Sequence, residues 1–225
     1  MRLRTYADFL DLLRERGLIW FSSGYPAGLP SLSECTEGAQ WHTGDPDTDP
    51  WQWRERVAAE RRAAVGNVLG GRKGFIAPVL YPLFFAASRP PVPLEERYAD
   101  GLVPRMQQRA LALFMPGQPL STFELRAALI GPKKEGLSKM TSALEALMRE
   151  FYITVCGSKR KTNALGQPYA WPAVNYALAE DWHGDWLAAA PLLSQGDARE
   201  ALLAHCVRVG AQGSEAALRR TLWKS

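Results

Sequence analysis

Lys159, Arg160 and Lys161 are three consecutive cations inside the polar, glycine-bounded stretch from Gly157 to Gln167. Lysine and arginine at a loop tip displace the counterions condensed on phosphates, so this is chemistry for holding a polyanion. Lys133, Lys134 and Lys139 precede them, and residues 126–161 carry eight cations against three acids. A second basic block, residues 51–75, has six cations against two acids and includes Arg54, Arg61, Arg72 and Lys73. Residues 31–50 hold five acids and no lysine or arginine. With a net charge of +4 and a pI near 9.0, the two blocks are compatible with a polyanion partner, although a charge run alone is more often a solvated face. The two basic blocks are expected to merge into one face. The acidic stretch should then lie away from it, because carboxylates repel phosphates inside a Debye length of about 8 Å.

Tryptophan supplies a second kind of chemistry. Trp20, Trp51 and Trp53 are candidates for a pocket that stacks an extruded base, although indoles in an N-terminal domain are first of all core material. The cysteines (35, 156, 206) and histidines (42, 183, 205) are scattered without metal-ligand spacing, so no metal and no cofactor is expected. The Gly70–Gly74 stretch lacks the order of a phosphate-binding P-loop and reads as a basic turn. No catalytic residue can be named; Glu34 and Glu37 are loop acids of the kind that solvent usually covers.

These residues need elements to position them. Thr5 with Asp8 predicts a helix over 5–16 that Gly17 ends, and an apolar tetrad, 18–21, follows. Asp49-Pro50 starts a helix expected to run to about Val68. A short apolar segment spans 79–87, and the proline-rich stretch 89–93 marks a boundary. Beyond it come a helix over 103–114, a helix capped by Ser121 and Glu124, a turn over 131–136, and a helix over 138–150 with Met140, Ala143, Leu144, Leu147 and Met148 facing inward. Strands at 152–156 and 169–178 flank the basic loop 157–167, and closing helices occupy 197–209, capped by Asp197, and 214–223.

Helix, helix, turn, helix, strand, basic loop, strand is the order of a winged helix, in which the third helix enters the major groove and the hairpin lies along phosphates. The expected fold class is α+β, mostly helical. Residues 1–93 form a helical N-terminal domain, itself open to a winged-helix-like reading, 101–180 the winged helix, and 181–225 a helical extension. At 47% hydrophobic and 22% charged residues, with no long apolar run, the chain reads as a cytoplasmic protein with no membrane partner.

Trp51-Gln52-Trp53-Arg54, the stretch from Lys73 to Leu83, and Ala143-Leu144-Glu145-Ala146-Leu147 before Tyr152 give the chain, over about 70–220, a pattern that resembles the bacterial AlkZ-like winged-helix proteins. The resemblance implies tandem winged helices on DNA, and an activity that unhooks alkylated or crosslinked bases in the best-known members. It also implies that the N-terminal domain and the next winged helix wall one DNA channel. The likeness is nearest to the short AlkZ-related branch, with no C-terminal β-barrel expected after residue 225. The glycosylases' paired glutamine motif has no counterpart: Ile19 to Thr36 holds no glutamine, and Gln107 and Gln108 point about 100° apart on a helix.

The expected function is therefore DNA binding in repair or genome maintenance, on duplex DNA, damaged or intact. A DNA glycosylase with a non-standard site is the first alternative, which leaves open whether the chain is an enzyme. A transcriptional regulator or protein-interaction module is the second. Oligomeric state, lesion and sequence preference are not legible.

Overall fold

The computed structural model describes residues 2–23, 28–132, 135–163 and 165–223. Helix α1 (Tyr6–Arg16) starts where Thr5 accepts the Asp8 amide and Asp8 returns a carboxylate to Thr5, and it stops at Gly17 with φ 77°. Strand β1 (Leu18–Trp20) follows, wholly buried. The next connection contains helix α2 (Leu32–Cys35) and a 3₁₀ turn, Gly38–Gln40. Asp49 then caps α3 (Pro50–Ala59).

Helix α3 does not reach Val68. Arg61 adopts φ 53°, and the Arg62 amide donates to the Val57 carbonyl at 2.9 Å, closing the helix without a glycine. Residues Ala64–Leu69 are strand β2, which turns through Gly70 and Gly71, both at positive φ, into β3 (Arg72–Ile76). Strands β1 and β2 both pair antiparallel with β3, giving the order β1-β3-β2.

Helices α4 (Tyr81–Ser88), α5 (Leu94–Ala99) and α6 (Arg105–Ala112) lead to β4 (Leu120–Ser121). The Ser121–Glu124 capping box opens α7 (Thr122–Leu129), and α8 (Leu137–Arg149) buries the five expected residues. Strands β5 (Ile153–Thr162) and β6 (Pro168–Leu178) form the second sheet, of order β4-β6-β5. The segment 157–167 is thus mostly strand and not loop. Backbone pairing holds its polar residues up to Thr162 in a ladder, and among the described residues Asn163 and 165–167 lie outside it. Four helices close the chain: α9 (Ala179–Trp182), α10 (Gly184–Ala188), α11 (Gln195–Arg208) and α12 (Glu215–Leu222). Ser194 caps α11, accepting from the Asp197 amide, so Asp197 stands inside the helix and is not its cap.

The fold is mixed α+β with two core clusters. One joins Phe9 and Trp53 to Phe75, Leu144, Leu147 and Ile153; the other gathers Trp20, Tyr81, Phe84, Leu202 and Cys206. The first cluster runs under both sheets, so edge strands β2 and β5 meet beneath α8 with α3 alongside. Among the described residues no helix is long and apolar enough to cross a membrane.

Candidate nucleic-acid interface

The two sheets meet where each ladder is interrupted at a glycine. The β2–β3 register shifts between Gly66 and Leu69, and the β5–β6 register shifts between Val155 and Gly157. Gly66 has φ 141°, and a Cβ there would lie 2.8 Å from the Met148 sulfur of α8; Gly157 has φ 134°, and a Cβ there would lie 3.4 Å from the Ala59 Cβ. Bulges of this kind bend strands and re-aim side chains. Here they leave a cavity of about 100 Å³ whose polar lining is Arg54, Glu55, Asn67, Lys73 and Tyr176, against apolar Phe21, Phe75 and Met148.

Its electrostatics are organised by α3. The Arg54 guanidinium lies 3.9 Å from the Trp51 ring centroid and donates to Glu55 Oε1 at 3.2 Å. Ser158 Oγ of β5 donates to Glu55 Oε2 at 2.7 Å, so the carboxylate is held between the two halves of the chain. Burial raises the pKa of the Tyr176 phenol, which stays protonated and able to donate. Asn67 Nδ2 donates to the Gly71 carbonyl at 3.1 Å, and Lys73 stays exposed at the rim.

Farther along β5 the hairpin is exposed from Ser158 to Asn163. Lys159 Nζ donates to Glu124 Oε1 at 2.7 Å, Lys161 Nζ lies 5.5 Å from the Phe123 ring centroid, and Arg160 is exposed. Burial alone would raise the Glu124 pKa, but the hydrogen bonds from Lys159 and Ser121 outweigh it and hold the carboxyl at about 2. Lys159 is therefore partly neutralised within the protein, whereas Arg160 is presented outward. Lys139 lies on the exposed side of α8, lining a groove with Arg105, Arg109 and Arg149. Lys133 and Lys134 lie outside the described residues.

The first basic block is divided. Arg54 and Lys73 border the cavity with Gly157 at the foot of the hairpin, and Arg72 begins the strand that carries Lys73. Arg61 instead pairs with Asp185 beside Trp182 and lines a separate groove with Arg14 and Arg62. The acidic stretch approaches the cavity wall with its rings, while its five carboxylates are not among the residues lining the cavity. Asp49, buried, accepts amides of His42, Gly44 and Trp51 to cap α3, which draws Trp41 and His42 onto Phe21 and Trp51.

Of the three tryptophans expected to line a base pocket, Trp20 and Trp53 are 0% exposed. Trp53 stacks on Phe9 at 5.7 Å and its Nε1 donates to the Asp47 carbonyl, so neither it nor Trp20 offers a face to a base. Trp51 alone of the three is partly exposed. Glu55, Asn67 and Tyr176 were not anticipated, since they come from three distant elements. The available signal was Gly66 and Gly157, single glycines inside β-rich runs.

The family model described as AlkZ related matches residues 3–223. Among solved structures, the DNA glycosylase AlkZ of Streptomyces sahachiroi is similar at 13% identity with a TM-score of 0.44, over 75% of this chain and 49% of that one. The chain thus spans about half the length of that glycosylase. No curated protein matches it.

Proposed function

Because the chain belongs to the AlkZ-related family, we propose that it binds duplex DNA in repair or genome maintenance, through a winged helix over 101–180 set against an N-terminal domain over 1–93 and followed by an extension over 181–225. The observation that carries this reading is the placement of Arg54 and Lys73 at the foot of the same hairpin that carries Lys159, Arg160 and Lys161. Cations from both basic blocks can then follow one phosphate backbone, with Lys139 on α8 in the place of the third helix of a winged helix. The order α6, α7, α8, β5, β6 is the support for that assignment.

Contact with about five phosphates gives a log-log salt slope near −4.5 for duplex affinity. Replacing Lys159, Arg160 and Lys161 together by alanine is expected to flatten that slope by about 2.7, at about 0.9 per lost contact. The melting temperature should hardly move, because exposed ion pairs contribute little. A duplex affinity that is the same at low and moderate salt removes the proposal.

A second reading, a glycosylase, is favoured by one feature: Glu55 is a carboxylate lining a cavity beside a phenol and two cations. As an N-glycosidic bond breaks, such a carboxylate can stabilise the sugar cation and accept the proton of the attacking water. On this reading, base release from an alkylated or crosslinked duplex falls at least a hundredfold in Glu55→Gln while DNA affinity is retained. Absence of release by the unaltered protein ends this reading and leaves DNA binding standing.

A further inference from the structure

The far half of the β5–β6 hairpin carries apolar side chains where packing gives no reason for them. Trp171 is 90% exposed, Leu165 81% and Tyr169 51%. The register explains how Trp171 is presented. Lys159 pairs with Ala173 and Lys161 with Tyr169, so three β6 residues, 170–172, stand against Arg160 alone. Pro172 has no amide to return to the ladder, and Trp171 is carried outward on the resulting bulge.

Asn163 supplies side-chain contacts at the tip. Asn163 Oδ1 accepts the amides of Leu165 at 3.0 Å and Gln167 at 2.9 Å, and Gly166 turns at φ 75°. The Leu165 amide is therefore tied to Asn163 while its side chain faces solvent.

We infer that this hairpin is a base-stacking arm, in which Trp171 stacks on a nucleobase that has left its place in the duplex while Lys159, Arg160 and Lys161 hold the flanking phosphates. The inference rests on the DNA reading above and names its preferred partner, duplex DNA with an unpaired or loosened base. Aromatic side chains interleaved with cations are the means by which proteins hold unstacked bases, and a tip leucine suits entry between base steps. An intact duplex must first be unstacked at a cost in free energy, so the preference for a base already free follows directly. Three adjacent cations attract a phosphate backbone and an anionic lipid surface alike, and the DNA reading above decides for the former.

The test measures affinity of the full chain for two end-labelled duplexes, one fully paired and one with a short central unpaired tract, by fluorescence anisotropy. Trp171→Ala is expected to weaken binding to the second by about five- to a hundredfold, the effect of losing one stacked base, and to weaken binding to the first by much less. Trp171→Phe should retain most of the affinity, and both variants should melt as the parent does because the site is exposed. Equal losses on both duplexes, or no loss on either, overturn the arm while leaving DNA binding intact. Failure of the parent to bind either duplex at low salt overturns the DNA reading and the arm with it. If Trp171→Ala releases the protein from phosphatidylserine vesicles and leaves DNA affinity unchanged, the arm belongs to a membrane surface and the inference is overturned.

Discussion

Trp53→Ala lowers the unfolding free energy by about 3–5 kcal/mol, the loss expected for emptying a core site of its indole. Trp53 is wholly buried and stacked on Phe9, and its Nε1 donates to the Asp47 carbonyl at 3.0 Å. Truncation therefore opens a void and removes one of the two donors to the Asp47 carbonyl, which keeps the Tyr6 amide at 2.7 Å. Against a total stability of about 5–15 kcal/mol, this is a large share. Trp53→Phe keeps most of the packing and loses the hydrogen bond, so a smaller loss of about 1–2 kcal/mol follows. Urea midpoints at constant m-value measure both, and a loss under about 1 kcal/mol for the alanine variant contradicts the packing role. The consequence reaches the cavity, because Arg54 and Glu55 immediately follow Trp53 in α3.

The Trp53 result bears on what a sequence can reveal. An indole looks the same whether it will stack on a base or fill a core, so Trp20, Trp51 and Trp53 were equivalent until their burial was known. Three helix starts are readable because capping is local: Thr5 with Asp8, Asp49 with Trp51 and Ser121 with Glu124 act within four residues, whereas at α11 two neighbouring capping types, Ser194 and Asp197, compete. The end of α3 was not readable. It closes at Arg61 in the left-handed conformation, where a glycine would have been the usual sign.

Strand β2 compounds that difficulty. It is buried on both faces and so lacks the alternation that marks a half-exposed strand, while Val57, Ala64 and Val68 happen to fall on a helical stripe. The candidate site was half legible for a related reason. Charge identified Arg54, Lys73 and the cations of β5, since long cationic side chains remain at the surface wherever the backbone goes. Glu55, Asn67 and Tyr176 meet only because two glycine bulges let the sheets approach, and a meeting of distant elements leaves no local trace.

Arg61 shows that charge alone also misdirects. It belongs to the first basic block by sequence, yet its side chain turns to Asp185 and acts on a buried group. That group is His183, 0% exposed, stacked on Trp186 at 4.0 Å and 4.6 Å from the Tyr81 ring, with Nε2 3.3 Å from Thr154 Oγ1. Burial first, and then the Arg61 charge, lower its pKa from 6.5 to about 3, with Asp185 opposing them.

The sign of the pH dependence follows from those values. His183 is neutral in the folded chain down to about pH 3, whereas in the unfolded chain it takes up a proton near 6.5. Its contribution to stability is full above pH 6.5 and is lost as the pH falls from there toward 3, because the unfolded state alone binds the proton. At about 1.4 kcal/mol per pH unit, the loss between pH 6.5 and 4.5 is about 2–3 kcal/mol. His183→Phe retains a ring between Tyr81 and Trp186 and has nothing to protonate, so its stability should fall by that much less over the same interval. Arg61→Ala should lie between the two, since relief of repulsion raises the His183 pKa. Urea unfolding of the three proteins at pH 7.5 and 4.5 decides the matter: carboxylates contribute alike to all three, apart from Asp185 once Arg61 is removed, and equal acid losses in the parent and His183→Phe exclude the buried imidazole as the origin.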